Sequence, residues 1–214
     1  MIAVVILSAG ESRRMGQPKA LVPFPDILNQ KQAGLTPAPA AQKTFLEHLI
    51  EVTRHPRTGA LRVVVGPHAA EIRARVKLDE GALVFNPDWQ RGQLSSLQAA
   101  IRTLPPGKTE GMLICLVDHP LISAALVASL IKTFDRDRNR IVIPAYKGRR
   151  GHPIIFPSTL FEELLGASPE VGARAVVHVH AKDVAEVPVQ EEGVLLNLND
   201  PESLTKLAHP KIEK

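Results

Sequence analysis

The chain has 214 residues, with 26 basic and 22 acidic side chains for a net charge of +4, and is 44% hydrophobic and 22% charged. These values exclude global disorder and leave room for one large domain with a core of its own. A charge this mild, with one Trp, one Tyr and six Phe, offers few stacking platforms for nucleic-acid bases and suits a small anionic ligand.

No apolar run reaches the roughly 18 residues of a membrane span, and the apolar start Ile2–Ala9 lacks the basic flank of a signal peptide. The single cysteine, Cys115, excludes a disulfide within the chain and makes a thiolate zinc site untenable. In the run MLICLV it reads as a buried, reduced thiol, so the expected location is the cytoplasm.

Along the chain, short apolar runs alternate with amphipathic stretches. Strands are predicted at 3–7 (AVVIL), 61–65 (LRVVV, stopped by Gly66-Pro67), 82–85, 112–117 and 140–143, with weaker ones at 153–156 and 184–188. Helices are predicted at 44–54, where Phe45, Leu49 and Val52 share a face, and at 68–76, 95–104, 124–134, 161–165, 172–178 and 202–208. Continuous apolar strands separated by helices imply an α/β fold: an open, mostly parallel sheet in a three-layer α/β/α sandwich. The second half is too irregular for a closed eight-unit barrel. Residues 1–214 read as a single domain, with 1–110 as one half, 111–214 as the other, and 25–42, rich in Pro, Ala and Gln, as a loop inserted into the first.

Five segments carry potential chemistry. The first strand runs into Ser8-Ala9-Gly10-Glu11-Ser12-Arg13-Arg14-Met15-Gly16-Gln17-Pro18-Lys19. Ligands of open α/β sheets bind at the carboxyl ends of strands. Gly10 and Gly16 allow close backbone approach, while Ser12, Arg14 and Lys19 supply donors, a set suited to polyphosphate. Neither the P-loop spacing nor GxGxxG is met, and an ordinary solvated βα loop accounts for the same residues. Asp118 follows the most apolar strand in LICLVDHP, a good place to hold Mg²⁺, or a turn-forming Asp before Pro120.

The segment Asn86–Leu97 (NPDWQRGQLSSL) opens a helix. Ser95 or Ser96 as its N-cap would leave free N–H groups for an anion or a base, or simply cap it. Gly148-Arg149-Arg150-Gly151-His152-Pro153 could grip a second anionic substrate or form a tight basic turn. In Leu196-Asn197-Leu198-Asn199-Asp200-Pro201 the side-chain oxygens could complete a metal site if the loop folds back beside Asp118. Asp200 before Pro201 also makes a good helix start. His178 and His180 lack a third metal ligand and read as solvated or capping. With no GxSxG elbow and no base beside Cys115, covalent catalysis has no support.

Six ordered blocks spanning essentially the whole chain resemble the molybdenum-cofactor nucleotidyltransferases: LSAGESRRMGQPKAL, VVVG at 63–66, NPDWQRGQLSSL, LVDHP at 116–120, GRRGHPIIF at 148–156, and VGAR with LNLNDPESL. Ala9 before Gly10 and the GxxSSL block are closest to the cytidylyltransferase branch. The resemblance implies a Rossmann-like nucleotidyltransferase fold of glycosyltransferase-A type and transfer of CMP from CTP to the phosphate of molybdopterin, releasing pyrophosphate. It makes a molybdoenzyme a further partner. It also implies that the 9–16 loop (Ala9, Gly10, Ser12, Gly16) holds the triphosphate and that Arg14 and Lys19 neutralise it. Gly66, Ser95 and Ser96 would lie by the base and ribose, Asp118 and Asn199 would hold Mg²⁺, and Gly151 and His152 would face the pterin. Two departures stand out: Asn199 occupies a position where the family often has Asp, and the 25–42 segment is unusual. A sugar or polyol phosphate as acceptor, or a protein that carries the finished cofactor without turnover, are the competing readings.

Overall fold

The computed structural model describes residues 1–24 and 43–208; the expected inserted loop at 25–42 lies outside the described residues. Eight strands form one sheet: β1 (Ile2–Ser8), β2 (Thr58–Val65), β3 (Leu83–Phe85), β4 (Gly111–Leu116), β5 (Ile141–Tyr146), β6 (Arg149–Arg150), β7 (Ile154–Pro157) and β8 (Val184–Val189). Its helices are α1 (Phe45–Val52), α2 (Ala69–Arg75), α3 (Gln93–Ile101), α4 (Ala124–Arg136), α5 (Phe161–Gly166), α6 (Ala173–Val179) and α7 (Pro201–Ala208).

The order β3-β2-β1-β4 is parallel throughout. β7 inserts antiparallel between β4 and β5, β6 returns antiparallel on β5, and β8 pairs parallel with β5 along its length. The sheet is therefore mixed but mostly parallel, as the apolar runs implied. The antiparallel strands were not separable by pattern, because a strand buried on both faces looks the same in either direction.

All seven residues of β1 are buried. Alternate side chains divide between two cores. Ile2, Val4 and Ile6 pack with Phe45, Leu49, Leu126 and Phe134 beneath α1 and α4, while Ala3, Val5 and Leu7 pack with Leu94, Leu97, Met112 and Leu164 beneath α3 and α5. Truncating a core side chain such as Ile6 to Ala costs about 2–5 kcal/mol. Thr44 fixes the start of α1 with a capping box: the Glu47 N–H donates to its hydroxyl at 3.2 Å and the Thr44 N–H donates to the Glu47 carboxylate at 2.8 Å. Burial pushes the Cys115 thiol up to about 12, so it stays protonated.

Two connections position the site. Lys147 and Gly148 both have positive φ (48° and 76°), the backbone a two-residue hairpin needs, and they return β5 into β6. The chain winds outward in opposite directions from β1 through β2 and β4, so a crevice opens at the carboxyl ends of β1 and β4. Among the described residues no helix is long and apolar enough to cross a membrane.

Candidate active site

Where β1 ends, the chain folds on Ser12. Its φ is 55°. Its carbonyl accepts from the N–H groups of Met15 (2.9 Å) and Gly16 (3.2 Å), and its hydroxyl accepts from the Lys19 N–H at 3.1 Å. The loop delivers Lys19 into a single 3₁₀ turn, Lys19–Leu21, with the side chain only 17% exposed. Lys19 Nζ donates to Asn199 Oδ1 at 2.7 Å and lies 3.4 Å from Asp118 Oδ2. The Leu198 N–H donates to the Asp118 carbonyl at 2.6 Å, which ties the late loop beside the end of β4. The late loop thus folds back beside Asp118, and the Asp200 carboxylate accepts from the Ser203 N–H at 2.8 Å, starting α7 as expected.

These residues open into a cavity of about 350 Å³, lined by Ala9, Gly10, Ser12, Lys19, Ser96 and Asp118. Trp89, Gln90 and Gln93 also line it; all three belong to the NPDWQRGQLSSL block, and the chain's single Trp was the available signal for them. The other expected residues lie around the cavity rather than on it. Arg14 is exposed, and its charge contributes to holding the Asp200 carboxyl low, after the Ser203 hydrogen bonds. Gly16 is an exposed turn residue. Gly66 packs beneath the loop, where a Cβ would overlap the Ala9 carbonyl oxygen and press on the Trp89 ring at 3.0 Å. Ser95 is buried, 2.7 Å from the Gly92 carbonyl, and accepts from the Asn86 amide at 2.9 Å.

The start of α3 corrects the expected cap. The helix begins at Gln93 with Gly92 (φ 102°) as its N-cap, not at Ser95 or Ser96. Asn86 Nδ2 already engages both serine hydroxyls, at 2.9 and 3.0 Å, and Gly92 supplies the turn backbone that a serine would resist.

A second cavity, about 550 Å³, adjoins the first and shares Leu7, Gln93 and Leu116 with it. Gly151 and His152 line it, with Ile114, Ile154 and Phe156 as apolar walls and Arg150 and Arg174 as cations. Gly151 is required by close approach: a Cβ would run into the Val194 carbonyl, which accepts from the His152 N–H at 2.9 Å. Burial, with repulsion from His119 second, lowers His152 to about 4, so its ring is neutral at pH 7. Its ring centroid stands 5.3 Å from that of His119, and Nδ1 of each is buried without a protein partner. Arg150 pairs with Glu186 at 2.7 Å. His180 bridges Glu163 (2.7 Å) and Asp183 (3.6 Å) as a surface clamp, and His178 is exposed.

The residues present fit a hard divalent cation. Asp118 and Asn199 aim a carboxylate and an amide oxygen at one cationic nitrogen; among the described residues no group of three or more His, Cys, Asp or Glu converges, here or elsewhere. Two oxygen donors would leave the remaining coordination of such an ion to phosphate and water.

The model of the MobA-like NTP transferase domain matches residues 4–185. A probable molybdenum cofactor guanylyltransferase of Mycobacterium avium is 25% identical over 98% of this chain and 96% of its own. The purine catabolism protein PucB of Bacillus subtilis is 27% identical over 92% and 91%. The crystal structure of Rv0371c from Mycobacterium tuberculosis superposes with a TM-score of 0.77 at 28% identity, covering 96% of both chains. A second structure of that protein, a complex with manganese, superposes at 0.72 with 24% identity over 96% and 97%.

Proposed function

Because the chain belongs to the MobA-like NTP transferase family and is a nucleotidyltransferase, we propose that it moves CMP from CTP to the terminal phosphate of molybdopterin, releasing pyrophosphate. One observation carries the reading: Lys19 Nζ stands between Asn199 and Asp118 in a cavity walled by a glycine-containing loop, at the switch point of the sheet. Attack on an α-phosphate builds negative charge on its oxygens and on the leaving pyrophosphate, and Lys19 is placed to meet it. The acceptor phosphate is already ionised, so no strong general base is needed; His152, neutral and buried, is not asked to be one.

In this reading Ala9, Gly10 and Ser12 cradle the triphosphate, while Arg14 and Gly16 shape its outer side. Ser96, with Ser95 and Gly66 behind it, borders the ribose and base. Asp118 and Asn199 would hold Mg²⁺, which shields the phosphates and polarises the reacting phosphorus when bound. The manganese of the mycobacterial neighbour is a cation of the same hard class. The acceptor occupies the second cavity, with Gly151 and His152 on its wall and Arg150 and Arg174 at its charged end. A buried, protonated Cys115 suits the reducing cytoplasm, and a molybdoenzyme is the natural recipient of the product.

CTP rests on Ala9 and the GxxSSL block. The guanylyltransferase name of the M. avium relative favours GTP as a second reading. Pyrophosphate release with Mg²⁺ and molybdopterin, compared across CTP, GTP, ATP and UTP, separates them. Release with CTP alone is expected; release with GTP alone assigns a guanylyltransferase. Nucleotide binding without release redirects the search to a sugar or polyol phosphate acceptor. No binding and no release leaves a carrier of the finished cofactor.

A further inference from the structure

The loop that lines the first cavity is held from below by a residue that neither the sequence blocks nor the chemistry of transfer required. His68 precedes α2 at the end of the β2–α2 turn. Its Nε2 lies 3.1 Å from the Glu11 carbonyl, in the middle of the phosphate-facing loop, and its Nδ1 lies 2.8 Å from the Glu71 carboxylate. Both partners are oxygens that only accept. A neutral imidazole carries one N–H and can satisfy one of them; the imidazolium satisfies both. Glu11 is flanked by Gly10 and Ser12, both on the cavity wall.

We propose that His68 is a positively charged positioning residue, an imidazolium that clamps the Glu11 carbonyl to Glu71 and so fixes the loop that receives the donor's phosphates. The inference rests on the nucleotide reading of that cavity. The charged groups facing the ring are few. Glu71 comes from α2. From the loop comes the Glu11 carboxylate, itself paired with Arg13 at 2.7 Å. Burial of the ring, 24% exposed, opposes the charge; Glu71 and the two Glu11 groups outweigh it, and the net direction is upward from the ordinary histidine value. As pH rises through that raised value, the ring loses one N–H and must release either the loop or Glu71. Donor affinity then falls, and the change belongs to the protein rather than to the nucleotide.

Trp89, the chain's single tryptophan, lines the same cavity and reports binding without any acceptor. The experiment titrates Trp89 fluorescence with CTP and with GTP, each with Mg²⁺, between pH 6 and 9, in the wild type, H68Q and E71Q. In the wild type Kd is expected to rise with pH by about 3- to 10-fold more than in H68Q, the worth of one hydrogen bond. H68Q keeps an amide donor for Glu11 but cannot titrate, so it subtracts the nucleotide's own ionisation. E71Q is expected to move the wild-type midpoint to lower pH. Imidazole ¹⁵N shifts should show both His68 nitrogens protonated at pH 6.5. Parallel pH profiles in the wild type and H68Q, or a neutral His68 tautomer at pH 6.5, overturn the proposal while leaving the nucleotide site intact. No fluorescence response to any nucleotide overturns the nucleotide reading and this role with it.

Discussion

Asn199 Oδ1 accepts a 2.7 Å hydrogen bond from Lys19 Nζ, joining residues 180 positions apart at the mouth of one cavity. The pair ties the loop after β1 to the loop before α7, which the proposed reading assigns to phosphate and to cation. Lys19→Ala is expected to lower turnover about 10²–10³-fold, the cost of losing one preorganised charge donor, with an unchanged melting temperature. Asn199→Asp adds an anionic ligand, and the Mg²⁺ concentration for half-maximal pyrophosphate release should drop several-fold. A Lys19→Ala variant with near-normal turnover would refute the assignment.

Gly66 sets the height of that loop. A methyl group there meets the Ala9 carbonyl and the Trp89 ring, and neither can yield without displacing a cavity wall. Gly66→Ala is expected to lose about 1–3 kcal/mol of stability from overpacking. Urea denaturation measures the loss, and a weaker Trp89 response to nucleotide should accompany it.

Arg174 lines the second cavity and has no hydrogen-bond or ion-pair partner among the described residues, whereas Arg150 is engaged by Glu186. It is therefore the cation free to meet an anionic acceptor. Arg174→Ala should raise KM for the acceptor roughly 10-fold or more, as expected for one charge-assisted hydrogen bond, and leave KM for the nucleotide unchanged. An equal rise in both would place Arg174 elsewhere in the reaction.

Where β1, β2 and β4 begin, Arg57 gathers Glu110 (2.6 Å) and Asp135 (2.7 Å), and the N-terminal ammonium adds a contact to Glu110 at 3.1 Å. The Arg57 hydrogen bond, followed by that from the N-terminus, holds the Glu110 carboxyl down at about 2. Because the folded-state value is depressed, this contribution is complete above the ordinary glutamate value of 4.5 and is lost as pH falls toward 2. The group is partly exposed, so the effect is modest. Glu110→Gln should lower stability by about 1 kcal/mol at pH 7, and the two proteins should converge as pH falls to about 2 in denaturant titrations.

The sequence was most legible where burial is continuous. β1 and β4 announce themselves because every residue but the terminal Ser8 is apolar, and the helices because their apolar positions recur on one face. Strand direction was not legible: β6 returns antiparallel on β5 through the hairpin at Lys147-Gly148, and the segment 148–153 read equally as a grip for an anionic substrate or a tight basic turn. At the site, Lys19, Asp118 and Asn199 could be named from spacing and resemblance, but their convergence is tertiary. The start of α3 was misread because two serines look like caps until Asn86, nine and ten positions earlier, is seen to occupy their hydroxyls. Trp89, Gln93 and Arg174 were missed as individuals because each is ordinary in its local pattern and acquires meaning only from the cavity it borders.

The backbone bond from Leu198 N–H to the Asp118 carbonyl also orders events during synthesis. Residues 9–19 and Asp118 are made long before residue 199, so Lys19 gains its second oxygen partner only when nearly the whole chain has been made. Docking of the late loop beside the end of β4 is the step that completes this set of three, and it joins residues from early, middle and late in the chain. On the transferase reading proposed above, a chain ended before residue 199 lacks the second oxygen partner of Lys19 and is expected to be inert.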